Sequence, residues 1–336
     1  MKLGSKSWPW FAPVLGVFCW CFAITAQAQN TIHGVSFVST DKPVNDSHFS
    51  HLDEISPNSI SLMPYALCDT SRAALLYDQP WQWFGETEPG IRQMIELARK
   101  EQVSVMLKPQ IWMRYGTYTG HYDARKKWQV FESHYLEYTL TFARLAELEQ
   151  VEIFCIGTEM DRFVEARPEF WNELIKKVRA VYSGKITYAA NWDNYADIPF
   201  WNQLDYVGVD AYFPLSEKAN PSTSELVKLW EPWKQSMKHF SDSLDKPILF
   251  CEYGYRSRDF TAKEPWKSDR AGQVNLIAQQ AAYEALYQSF WKETWMAGGY
   301  LWKWFPNHKE VGGENNNRFT PQNKPVTEVI KKWYSN

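Results

Sequence analysis

Short apolar runs alternate with longer amphipathic segments from about residue 31 to the end of the chain. Runs of β-branched and aromatic residues bounded by turn formers read as buried strands. They fall at His33–Val38, Ser59–Met63, Val103–Lys108, Glu152–Ile156, Ile186–Ala189, Tyr206–Val209, Ile248–Cys251 and Gly299–Trp302. Between them, Gly90–Glu101, Val130–Glu149, Pro168–Tyr182, Ser222–Ser241 and Gly272–Glu293 repeat apolar residues at three- and four-residue spacing, the period of a half-buried helix. In the 168–182 segment Pro168 suits a first helical turn and Phe170, Trp171, Leu174, Ile175, Val178 and Val181 share a face. Ser183-Gly184 then ends it. The helical segments after the first and fifth strands look short. Parallel strands need crossover helices, and eight such units close a sheet, so the pattern predicts an α/β chain folded as a single-domain (β/α)8 TIM barrel. An open doubly wound sheet is the runner-up. Joins from helix to strand are tight, whereas those from strand to helix are long at 65–89, 109–129, 253–271 and 303–324. The elaborated loops therefore gather on the C-terminal face, where barrels build their sites.

Residues 1–28 stand apart from this pattern. Lys2 and Lys6 precede an uncharged apolar run from Trp8 to Thr25, and Ala26-Gln27-Ala28 supplies small residues at a cleavage position. That is the grammar of a signal peptide; the other reading is an uncleaved membrane anchor. The expected mature chain is residues 29–336, one catalytic barrel exported to the periplasm or the medium and not inserted in a membrane. The full chain's charge, 36 basic against 39 acidic side chains, gives no electrostatic reason to expect nucleic acid. Cys68, Cys155 and Cys251 show no clustered spacing of a disulfide scaffold, and Cys155 and Cys251, in apolar strand-like runs, are expected as buried thiols. Metal, nucleotide and serine-hydrolase motifs do not occur, so no cofactor, metal or protein partner is implied. Aromatic residues make up 16% of the chain, which favours a saccharide ligand weakly, because large cores use them too.

Two glutamates end apolar strands: Glu159 in Phe154-Cys155-Ile156-Gly157-Thr158-Glu159, and Glu252 in Phe250-Cys251-Glu252-Tyr253-Gly254-Tyr255. These are the fourth and seventh strands of the predicted barrel. A carboxylate there is either exposed at the mouth or paired, since unpaired burial is costly. Two carboxyls at one mouth can cleave a glycosidic bond, one as protonated acid and the other as ionised nucleophile. The alternative is that each pairs structurally with a barrel cation such as Lys108 or Arg256. Asp193 and Asp210 also lie near strand ends and rank behind the glutamates as supporting groups.

These strings, with Ala190-Asn191-Trp192, Gly208-Val209-Asp210-Ala211-Tyr212 and Phe319-Thr320-Pro321-Gln322-Asn323-Lys324-Pro325, resemble glycoside hydrolase family 113 of clan A, whose characterised members are largely β-mannanases. The resemblance implies a retaining hydrolase of β-1,4-linked polysaccharide or oligosaccharide, most simply an endo-β-1,4-mannanase. It casts Glu159 as general acid/base, Glu252 as nucleophile, Tyr212 as its hydrogen-bond partner and Trp302 as the floor under the sugar. Asn191, Trp192, Trp112, Trp304 and Lys108 are further substrate-side or mouth candidates. Many clan A enzymes carry Asn before the acid/base; Thr158 stands there instead, and Asn191 is placed to compensate. A carbohydrate-binding barrel without catalysis, or a hydrolase of another β-glycan, are the rival readings.

Overall fold

The β-branched and aromatic runs pair as parallel strands because the segments between them are long enough to cross over as helices. A computed structural model describes residues 31–113, 117–269 and 271–335, together with Met1 and Gly4. The proposed signal peptide lies outside these residues but for Met1 and Gly4, and Thr31–Asn336 forms one compact unit. In chain order the strands are β1 (Ile32–Phe37), β2 (Ser59–Leu62), β3 (Tyr65–Asp69), β4 (Ala74–Leu76), β5 (Ser104–Leu107), β6 (Gln110–Trp112), β7 (Ile153–Thr158), β8 (Lys185–Asn191), β9 (Val207–Asp210), β10 (Ile248–Tyr253) and β11 (Met296–Trp304). The helices are α1 (Asp46–Phe49), α2 (Glu88–Lys100), α3 (Trp128–Leu148), α4 (Asp161–Ala166), α5 (Pro168–Arg179), α6 (Thr223–Leu244), α7 (Leu276–Phe290) and α8 (Val326–Tyr334).

Eight strands close in the order β1-β11-β10-β9-β8-β7-β5-β2, all neighbours parallel. This is the (β/α)8 barrel. Pairing of β1 with both β2 and β11 leaves no free edge and excludes the open doubly wound sheet. The eight predicted strands all occur, within a few residues at their ends. Helix α5 starts at Pro168 as expected and buries Trp171, Leu174, Ile175 and Val178, with Lys176, Lys177 and Arg179 at its negative C-terminal end. Helix α6 opens with a capping box in which Ser222 and Glu225 bond each other's backbone. After β1 the chain makes only α1 and a 3-10 turn, and after β8 only two 3-10 turns, at 195–197 and 201–203.

Two features were not in the periodicity. Strands β4, β3 and β6 form a second, three-stranded sheet inside the 65–89 and 109–129 loops, standing directly on the ends of β2 and β5. Its strands are too short to show alternation. Helix α8 returns to the barrel, where Tyr334 donates from its hydroxyl to the Gly34 carbonyl at 2.7 Å.

Much of the aromatic excess is core. Trp171 stacks on Phe200 and touches Tyr135, Phe163 and Tyr188, while Trp171, Trp230 and Trp304 are fully buried. Gly208 in β9 is required by close approach: a Cβ there would lie 2.2 Å from the Tyr188 carbonyl oxygen and 2.7 Å from the Cys251 thiol. Cys155 and Cys251 are buried free thiols, as the sequence suggested, and so is Cys68.

Candidate active site

Strand β10 is buried along its whole length, so Glu252 reaches the barrel mouth as a carboxylate with 8% exposure. Such a group must be satisfied internally. Lys108, the first residue after β5 and itself fully buried, sets its ammonium 2.5 Å from Glu252 Oε1 and 3.5 Å from Asp210 Oδ1. Gln110 donates from Nε2 to the same Oε1 at 3.1 Å, and Tyr212 donates its hydroxyl to Oε2 at 2.9 Å. Three donors, from just after β5, from β6 of the second sheet and from just after β9, therefore hold Glu252. Burial alone would lower the Lys108 pKa; the Asp210 and Glu252 charges outweigh it and raise it well above the usual lysine value. Asp210 stands beside Glu252 in register on β9. Burial, more than Lys108 can offset, lifts its carboxyl well above the ordinary range, with Glu252 adding to the rise. Its Oδ2 has no hydrogen-bond partner.

Glu159 follows the last residue of β7 and has a left-handed backbone, φ 48°. A non-glycine side chain in that region costs on the order of 1–2 kcal/mol. Its own N–H donates to the Ala189 carbonyl on β8 at 2.8 Å, which fixes the turn. The half-buried carboxyl meets a different environment from that of Glu252. Burial first, then the charge of Glu252, and more weakly Asp161 and Asp193, push its pKa up to about 8 against an opposing pull from Lys108. The two glutamates thus sense each other across one mouth. One is held by donors; the other keeps its proton near neutral pH. That pairing can protonate a leaving oxygen and present a nucleophile at the same centre.

Around Glu159, Tyr118 donates its hydroxyl to Asp161 Oδ2 at 2.8 Å and accepts from Asn191 Nδ2 at 3.0 Å. Asn191 Oδ1 accepts from the Trp192 backbone at 2.9 Å, so in this state Asn191 is held by its neighbours. Thr158 Oγ1 is buried without a partner, leaving a free polar atom one residue before Glu159.

Trp302, at the end of the barrel strand β11, lines a cleft of about 500 Å³ together with Trp112 and Lys303. Trp192 stands elsewhere on the rim, half-buried and stacked on Trp266 with ring centroids 5.6 Å apart. Two expectations are corrected. Trp304 is fully buried, with the His308 ring 5.8 Å from its own, so it offers no platform. Arg256 approaches neither glutamate; its guanidinium is spent on Asp269 and on the Asn317, Lys267 and Ala271 carbonyls. Asp193 is exposed and acts on Glu159 only through space, whereas Asp210 sits in the Lys108 cluster.

Gln110 and Tyr118 escaped the sequence reading. Gln110 carried a signal, lying two residues after Lys108 just beyond a strand end. Tyr118 carried none, since the long 109–129 loop has no periodicity to say which side chain turns inward. Among the described residues, no group of three His, Cys, Asp or Glu side chains is placed to hold a metal ion.

The model of Glycoside Hydrolase Family 113 matches residues 40–324. The chain belongs to that family. Membership makes it a glycoside hydrolase, and the two mouth glutamates lie within the matched span. Among solved structures, a complex of a family 113 β-1,4-mannanase superposes with a TM-score of 0.79 at 24% identity, covering 91% of this chain and 99% of that one. The family 113 β-mannanase of Alicyclobacillus acidocaldarius, in complex with ManMIm, also gives 0.79 at 24% identity, with 92% and 99% covered. A β-glucuronidase of Ruminococcus gnavus gives 0.61 at 13% identity over 90% of this chain and 50% of that one, a likeness of barrel fold. No match was found among curated proteins.

Proposed function

We propose that this family 113 glycoside hydrolase is a retaining endo-β-1,4-mannanase with Glu252 as nucleophile and Glu159 as general acid/base. The observation that carries the reading is the opposed setting of the two glutamates: Glu252 takes hydrogen bonds from Lys108, Gln110 and Tyr212, while burial and the Glu252 charge keep Glu159 protonated up to about pH 8. In the first step Glu159 gives its proton to the glycosidic oxygen as Glu252 attacks the anomeric carbon, forming a glycosyl ester and releasing the aglycone. Glu159, now ionised, takes a proton from water, which attacks the same carbon and frees Glu252. Tyr212, Gln110 and Lys108 orient the attacking carboxylate. Trp302 supports the sugar at the cleavage point, and Trp112 and Trp192 are further stacking surfaces. The mannose preference leans on the family 113 neighbours titled β-mannanases.

Product analysis on mannan, glucomannan, cellulosic and xylan substrates tests this directly. Mannooligosaccharides of mixed length are expected, with the β-anomer appearing first by proton NMR. Initial α-anomer would remove the double displacement, and release from another glycan alone would change the substrate. If purified protein binds these glycans and cleaves none, a binding barrel is the correct reading. The N-terminal stretch supports export as well. Intact mass of the secreted protein should begin at Gln29, and a soluble form retaining residues 1–28 would overturn cleavage.

A further inference from the structure

Gln322 is fully buried, and its side-chain amide fills all four of its bonding positions. Oε1 accepts from the Phe305 N–H at 2.7 Å and from the Thr320 hydroxyl at 2.9 Å. Nε2 donates to the Phe305 carbonyl at 2.9 Å and lies 3.2 Å from His308 Nδ1. The two backbone groups decide which end of the amide is which, because an N–H only donates and a carbonyl only accepts. The second Nε2 proton therefore needs a lone pair on His308 Nδ1. That makes the ring neutral, with its own proton on Nε2, which faces Glu54 Oε2 at 3.5 Å. Burial agrees, holding the His308 pKa below the usual histidine value. On the turn after α1 the ring meets Glu54 and His51, the latter stacked with centroids 4.5 Å apart. Glu328 and Lys331 of α8 act on Glu54, and Lys309 and Glu310 share the turn of His308.

Phe305 is the residue after β11 and stands three beyond Trp302. One side chain takes both of its backbone groups, as a neighbouring strand would. The backbone of Gln322 is itself anchored, its carbonyl accepting from the Gly313 N–H at 3.1 Å. Gly312, at φ 72°, leaves room for that carbonyl; a Cβ there would lie 1.7 Å from its oxygen. The same string reaches the nucleophile, since the Phe319 ring meets the Tyr212 ring edge-on at 6.2 Å and Tyr212 donates to Glu252. A buried amide costs desolvation that an apolar side chain would not, so a fully bonded one serves to fix geometry. Resting on the proposed hydrolase reading, in which Trp302 supports the reacting sugar, we infer that Gln322 is a positioning residue for the reaction. Its amide, oriented by neutral His308, clamps the Phe305 peptide and so fixes the Trp302 end of β11 at the cleavage point. Protonation of His308 at Nδ1 sets donor against donor and opens the clamp.

Gln322→Glu in the full-length mature chain is the test, because it keeps the shape and changes only what the far atom can donate. The oxygen that replaces Nε2 faces the Phe305 carbonyl and His308 Nδ1, so the variant needs one more proton, on itself or on the ring. Activity on mannohexaose should therefore be best at acid pH, with an alkaline limb well below the one near 8 that Glu159 sets in the parent. Gln322→Ala should instead lose roughly tenfold at every pH, in kcat more than in KM, with the limb unmoved. Hydrogen exchange of the 302–308 peptide reads the clamp without substrate. After correction for intrinsic rates, it should be slow in the parent near neutral pH, fast in Gln322→Ala, and slow in Gln322→Glu only at acid pH. A Gln322→Glu limb in the parent's position, with or without a uniform loss of rate, would overturn the positioning role. Exchange in Gln322→Ala as slow as in the parent would overturn the clamp itself. If exchange follows pH as described but the parent cleaves no glycan, the hydrolase reading falls and the hold on Phe305 stands.

Discussion

Glu252 and Glu159 close equivalent barrel strands, yet the protein treats them in opposite ways. Glu252 is nearly buried and takes donors from β5, β6 and the segment after β9. Glu159 is more open, but its surroundings add negative charge rather than donors, from Glu252, Asp161 and Asp193. Three hydrogen-bond donors hold the Glu252 carboxylate in place, whereas burial first and the Glu252 charge second raise the proton affinity of Glu159.

Removing either member should break the contrast most severely. Glu252→Ala is expected to lower turnover by roughly 10³-fold or more on polysaccharide, measured as reducing ends released. Glu159→Ala should cost about 10²–10⁴-fold on polysaccharide, yet spare the first step on an aryl glycoside whose leaving group needs no proton. That split, read by burst kinetics, is specific to an acid. Equal losses on both substrates would reverse or remove the assignment.

Loosening the donors is the next smaller change. Tyr212→Phe deletes one hydrogen bond to a charged carboxylate, and a loss of about tenfold to a hundredfold in kcat with KM little altered is expected. The pH profile sharpens the comparison further. Glu159 must be protonated to act as acid, so kcat/KM should fall as pH rises through about 8. Asp161→Asn removes one of the weaker negative neighbours and should move that alkaline limb to lower pH by a small amount. A limb that stays in place would mean Asp161 orders Tyr118 without affecting the proton on Glu159.

The barrel was legible because its strands are buried on both faces and therefore read as unbroken apolar runs, as in Ile248–Cys251. Glu159, Glu252 and Tyr212 were legible for the same reason, each standing where such a run ends. Side chains on the loops were not. Nothing in the 109–129 stretch announces that Tyr118 turns toward Asp161, and the second sheet that carries Gln110 has no strand longer than five residues. Trp304 misled in the other direction: two residues beyond Trp302 and equally aromatic, it is buried at 0% exposure, a difference that depends on the neighbours it meets and not on its place in the strand.

Lys108 carries a cost that has nothing to do with turnover. An ammonium with no exposure must be stripped of water before the barrel can close, and among the described residues its compensation comes from two carboxylates that are themselves desolvated. Well-packed hydrophobic groups of similar volume in such places commonly yield a more durable fold, by about 1–4 kcal/mol. A triple replacement, Lys108→Met with Asp210→Leu and Glu252→Met, would then melt at a higher temperature than the parent while being inert. A lineage released from the need to cut glycans would have an easy path toward ruggedness through these three positions, and persistence of the charged cluster is the molecular trace of selection for chemistry over endurance.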